Sequence, residues 1–72
     1  MAYKSIENTG NQYTVNLHRG HSIVLTIDNS NDFEQNEIIG FLSTAFEMYS
    51  TLKAAELFLK ENGLLISLVD VN

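Results

Sequence analysis

The 72-residue sequence contains no cysteine, no proline and no tryptophan. Without cysteine, the protein has no disulfide framework, no thiol nucleophile and no thiolate zinc site. No apolar run approaches the roughly 18 residues that a transmembrane helix needs. The first residues also lack the apolar core of a secretory signal peptide. We therefore expect a cytoplasmic protein that does not associate with a membrane.

Basic residues are scarce. Four Lys and Arg residues stand against nine Asp and Glu residues, so the net charge is −5. The four cations are scattered at Lys4, Arg19, Lys53 and Lys60. A negative chain repels phosphate, so we expect no direct contact with nucleic acid. The acids are densest between residues 28 and 37, and an acidic mimic of nucleic acid stays an alternative function.

The chain is long enough for one domain, which we assign to residues 1–72. Hydrophobic residues make up 44% of the sequence, which is not the composition of a disordered segment. In a domain this small, apolar burial and conformational entropy nearly cancel. Self-association or binding to a partner is therefore an expected source of further stability.

Alternating apolar residues predict several strands. Residues 13–17 and 22–27 form the two strands of a hairpin, and Gly20 in the turn can adopt a positive φ. Residues 2–7 add a weak first strand. Residues 64–71 are apolar on both faces, which is typical of a central or well-covered strand. A helical crossover would place this last strand parallel to the strand at 22–27.

Residues 33–61 have the apolar periodicity of a helix. Asp32 is the predicted N-cap, with Gln35 as its capping-box partner. The apolar stripe shifts in the second half, which predicts a bend or break near Ser50 and Thr51, or burial against two different surfaces. The expected fold is α+β, with a small antiparallel sheet packed on one long or kinked helix and a C-terminal returning strand.

The helical segment 41–52 reads FLSTAFEMYSTL. It resembles a signature, roughly LIAAAPEMYxxL, that follows a short β-hairpin in a family of small uncharacterised phage and prophage proteins. The matching positions are Ala45, Glu47, Met48, Tyr49 and Leu52, and Leu42 is similar. Phe46 stands where the family has proline. The resemblance implies a phage-encoded protein that acts inside a bacterial cell, and it carries over no catalytic residue.

The spacing of histidine, acidic and hydroxyl residues in the sequence indicates neither a metal site nor an active site. His18 and His21 flank a turn and could supply two metal ligands, but no third ligand accompanies them. Residues 28–34 space oxygens as calcium loops do, yet Phe33 and Ile39 occupy the positions where an EF-hand needs Gly and Glu. The only histidines share one loop, away from any predictable nucleophile. We therefore expect no enzyme activity, no cofactor and no bound metal.

The sequence has more aromatic and methionine side chains than one short sheet can easily bury. They either fill the core of the monomer or form an interface, and a homodimer would allow both. Together with the phage resemblance, this predicts a non-enzymatic interaction protein that inhibits a bacterial host or defence protein, as anti-CRISPR proteins do. The alternatives are a self-associating structural module without a host target, an acidic mimic, or a small-ligand or metal binder at the histidine turn.

The predicted partner is a bacterial protein with a basic site, as nucleic-acid-handling proteins have, because acidic side chains would steer the protein toward it. Apolar side chains on the helix would then anchor the complex. The residues predicted to contact the partner are Glu34, Glu37, Glu47, Tyr49 and Phe58.

Overall fold

A computed structural model describes residues 2–71, apart from the side chain of Arg19. In chain order the elements are β1 (Tyr3–Thr9), β2 (Gln12–Leu17), β3 (Ser22–Ile27), α1 (Gln35–Met48), α2 (Leu52–Glu61) and β4 (Ile66–Val71), with 3-10 turns at His18–Gly20 and Ser30–Asp32. All neighbouring strands are antiparallel, in the order β1-β2-β3-β4. The predicted α+β class and the antiparallel sheet are confirmed. Over the described residues, no helix has the length and apolar composition needed to cross a membrane.

Tight connections join the first three strands. Between β1 and β2, Gly10 has a φ of 60°, and the side-chain amide of Asn8 donates to its carbonyl at 2.9 Å. The 3-10 turn between β2 and β3 ends at Gly20, whose φ is 74°. Both glycines take a backbone conformation that other residues rarely adopt. The first strand, expected to be weak, is a full strand of seven residues.

The prediction of one long or kinked helix over residues 33–61 is wrong, because the chain forms two helices. α1 ends at Met48, and Tyr49 takes an extended conformation with φ −104° and ψ 140°. Thr51 then caps α2 by accepting the N–H of Ala54 at 3.2 Å. The separation falls where the apolar stripe shifts, since each helix buries its own face.

The predicted cap at Asp32 is also wrong. Asp32 lies in the second 3-10 turn, and Glu34 is the N-cap of α1. The carboxylate of Glu37 accepts the N–H of Glu34 at 2.8 Å. Residues 30–32 form a turn of their own, which delays the start of the helix to Gln35. Capping therefore uses the next acidic pair along the chain.

β4 pairs antiparallel with β3, so the expected parallel arrangement is wrong. Leu25 lies opposite Leu68, and Ile27 lies opposite Ile66. The N–H of Asp28 donates to the carbonyl of Leu65 at 2.8 Å, so β4 starts beside the end of β3. A single helical crossover would carry the chain to the other end of the sheet. The second helix instead returns it to the end from which it left.

The core lies between one face of the sheet and the two helices. Its side chains come from alternate strand positions and from the inner faces of the helices. The buried residues are Tyr13, Val15, Leu17, Ile23, Leu25, Ile27, Ile38, Leu42, Ala45, Phe46, Ala55, Leu59 and Leu64. No polar or charged residue is buried among the described residues. Apolar burial therefore supplies the stabilisation of this interior.

Replacement of Phe46 by Ala tests this core. Phe46 is the largest fully buried side chain, so Phe46→Ala should lower the free energy of unfolding by about 3–5 kcal/mol. Met48 lies two positions further along the same helix and is 68% exposed. Met48→Ala should therefore change stability by less than about 0.5 kcal/mol. Urea denaturation of both variants makes the comparison, and equal losses would contradict the assigned core.

Candidate functional site

Four exposed carboxylates lie between the end of β3 and the first turn of α1. They are Asp28, Asp32, Glu34 and Glu37, and we call this group the acidic end. The ion pairs within residues 2–71 join Lys60 to Glu56 and His21 to Asp70. Among the described side chains, no ion pair therefore involves the acidic end, although Lys60 lines the same depression as Asp28. Its charge is presented to solvent.

The loop that carries the acidic end is held at both of its flanks. Asn29 donates its side-chain amide to the carbonyl of Gly63 at 2.8 Å and accepts the N–H of Leu65 at 3.0 Å. On the other side, Gln35 donates to the side chain of Asn8 at 2.9 Å. The positive end of the α1 dipole further favours the carboxylates in this position. Asp28, Asp32 and Glu34 are thus presented on an anchored loop, and Glu37 is presented on the first turn of α1.

The five predicted contact residues do not form one continuous patch. Glu34 and Glu37 lie at the start of α1, whereas Tyr49 follows its end. The 14 residues of α1 separate these groups by about 21 Å. Glu47 is exposed on the last turn of the helix.

Tyr49 and Phe58 are brought together by the two helices. Their ring centroids lie 5.5 Å apart with a tilt of 42°. Both side chains are half-buried and pack against the core. These two aromatic residues therefore hold the junction of α1 and α2, and only part of each ring remains for a partner.

The histidine turn is tied to the sheet. Nε2 of His21 contacts the carboxylate of Asp70, which links the start of β3 to the end of β4. His18 is exposed. Across residues 2–71, no group of three His, Asp or Glu side chains lies close enough to hold a metal ion. The structure thus gives His21 a partner within the sheet.

β4 presents apolar side chains that sequence reasoning did not assign to a surface. Leu65 and Val69 are each 61% exposed, and Val71 is 43% exposed. Together with Ser67 they occupy every second position from 65 to 71, on the side of the sheet that the helices leave uncovered. The prediction of a central or well-covered strand is wrong, because β4 is the last strand of the sheet. The pattern that suggested it, apolar residues on both faces, could also have indicated an edge strand that lacks a neighbour.

Burial raises the pKa of the Tyr13 phenol above its ordinary value, because the phenolate would lose hydration. Tyr13 faces the core from β2 and borders a shallow depression near Asn8 and Ile38. The unfolded chain ionises this phenol near pH 10, while the folded chain holds it neutral to higher pH. Its contribution to stability is therefore complete below pH 10 and is lost as the pH rises through the folded pKa.

The effect of alkali on stability should depend on Tyr13. The free energy of unfolding should fall above pH 10 by at most about 1.4 kcal/mol per pH unit on account of this residue. Tyr13→Phe should reduce that slope, whereas the matched Tyr49→Phe, which retains Tyr13, should keep it. Urea titrations between pH 8 and pH 11 measure both slopes. Identical slopes in the two variants would contradict the assignment.

Comparison of the chain with models of known protein families, with curated protein sequences and with solved structures finds no significant match. The resemblance of residues 41–52 to the phage family therefore stays a prediction.

Proposed function

We propose that this protein is a non-enzymatic protein–protein interaction module, encoded by a phage, that binds and blocks a basic site on a bacterial protein. The acidic end is the observation that supports this function most directly. It combines four exposed carboxylates, on an anchored loop and on the helical turn that follows it, and no ion pair among the described side chains involves them. The assignment to a phage rests on the resemblance of residues 41–52.

The distribution of charge favours a basic partner. The net charge of the chain is −5, and the acidic end concentrates carboxylates at one place on the surface. Such a field accelerates encounter with a positive surface and disfavours other partners. Proteins that handle nucleic acid carry positive surfaces of this kind. The proposed target is therefore a bacterial nucleic-acid-handling protein whose basic site the inhibitor occupies.

Apolar side chains on the helices provide the remaining contact area. Met48 and Leu57 are 68% and 58% exposed. Met48 is adjacent to Glu47 and to the junction formed by Tyr49 and Phe58. In the proposed complex, the acidic end aligns the partner, and the side chains around Met48 exclude water from the contact.

Removal of two charges at the acidic end tests this function. Glu34→Gln combined with Glu37→Gln keeps an acceptor for the N–H of Glu34 but removes both charges. The partner is first captured from bacterial lysate with the wild-type chain and identified. The association rate should then be about threefold to tenfold lower for the variant at low salt. The wild-type chain should also inhibit binding of nucleic acid to the captured partner.

Glu7→Gln combined with Glu61→Gln is the matched control. Both residues are exposed and lie outside the acidic end, so the same loss of charge should leave most of the association rate unchanged. A wild-type rate that does not depend on salt would contradict steering. A captured partner that still binds its nucleic acid normally would contradict inhibition.

A further inference from the structure

The outer edge of β4 has backbone groups available for another strand. The N–H and C=O of Leu65 both point toward the β3 side, where they bond to Asn29 and to Asp28. Along a strand, successive residues direct these groups to opposite sides. Ile66, Leu68 and Asp70 therefore direct theirs away from β3. Within residues 2–71, no further strand pairs with this edge.

The two edges of the sheet differ in their protection. β1 has a register irregularity between Tyr3 and Ser5 and an exposed Lys4 there. Bulges and lysines of this kind prevent edge strands from pairing with other chains. Over Ile66–Val71, β4 contains no lysine and no proline, its one charged residue, Asp70, contacts His21, and its register with β3 is regular. Among the described residues, the β4 edge is thus the more open of the two to a new strand.

We propose that the occupant of this edge is a second copy of the chain, paired antiparallel about a two-fold axis at Leu68. Leu68 then lies opposite Leu68 of the second copy, and Ile66 lies opposite Asp70 of the second copy. Each of the three outward-facing residues gains a partner for both of its backbone groups. The two sheets join into one continuous sheet of eight strands.

In this register, apolar side chains of the two copies lie opposite each other on the face that the helices leave uncovered. Leu65 of each copy lies opposite Val71 of the other, so the exposed apolar residues at the two ends of the strand meet across the axis. Directly opposed apolar side chains stabilise antiparallel strands. The pairing removes from water the part of the Leu65 and Val71 side chains that faces the added strand.

Charges also favour this register. Each Asp70 lies opposite Ile66 of the other copy, beside a depression that Asp28 and Lys60 both line, so this contact adds no net opposite charge. The two Asp70 carboxylates are about 13 Å apart along the strands, which exceeds the screening length of about 8 Å in physiological salt. A register centred on residue 70 would instead place these carboxylates directly opposite each other, which is destabilising.

Sedimentation equilibrium over a concentration series tests the proposal. The wild-type chain should associate to twice its own mass. Leu65→Lys combined with Val71→Lys places lysines opposite each other at both ends of the interface. The dissociation constant of the dimer should rise about tenfold or more. Both residues are exposed, and circular dichroism checks that the variant folds.

Met48→Lys combined with Leu57→Lys is the matched control, since these residues are similarly exposed on the helices. It adds the same charge and should leave the dissociation constant unchanged. Leu65→Lys combined with Val71→Glu tests the register, because each lysine then faces a glutamate of the other copy. This variant should return the dissociation constant close to the wild-type value.

Three results would overturn the proposal. The first is a wild-type chain that stays monomeric up to millimolar concentration. The second is a dimer disrupted by the Met48 and Leu57 substitutions but not by those at Leu65 and Val71. The third is a monomer that binds a foreign strand at this edge. The inference concerns β4 rather than the acidic end, so it can fail while the proposed function holds, and the converse is also true.

Discussion

The separation of the two helices at residues 49–51 is the constraint on which the rest of the structure depends. Because α1 stops at Met48 and Thr51 starts a second helix, the chain reverses over the sheet instead of crossing it. This reversal delivers β4 to the end of β3 and makes the whole sheet antiparallel. β4 is the last strand of this sheet, and Val69 and Val71 on its outer face stay exposed.

The molecule divides its surface into regions of different physical character. The acidic end is charged and anchored at the junction of β3 with α1, whereas the β4 edge is apolar and offers backbone hydrogen bonds. The first acts over a distance and depends on salt. The second acts at contact, through backbone hydrogen bonds and apolar side chains.

Local patterns in the sequence predicted local structure well. The alternation in residues 22–27 located β3 to the residue, and the shift of the helical stripe indicated where α1 and α2 separate. The capping residue was missed because Asp32, Glu34 and Glu37 all suit a helix start, and only the 3-10 turn at Ser30–Asp32 selects among them. Long-range relations were not accessible in this way. The direction of β4 depends on whether one helix or two precede it, and no residue within β4 encodes that number.

For the candidate surfaces too, local properties could be predicted from the sequence and long-range relations could not. The sequence alone located the acidic cluster, because charge is a property of each residue. It could not separate Tyr49 and Phe58, which pack on each other and on the core, from the side chains that stay exposed. Exposure depends on which elements lie next to one another. The sequence pattern predicted an interior position for Leu65, Val69 and Val71, whereas the strand order places them at the edge of the sheet.

Asn29 connects the loop after β3 to the residues that lead into β4. Its side chain bonds to Gly63 and Leu65 on one side of the molecule, while its backbone belongs to the loop that carries the acids. Transient detachment of β4 would break these bonds and release that loop at the same time. The backbone amides of both segments should therefore show one common free energy of opening in hydrogen exchange. A ligand that clamps either segment would slow exchange in the other.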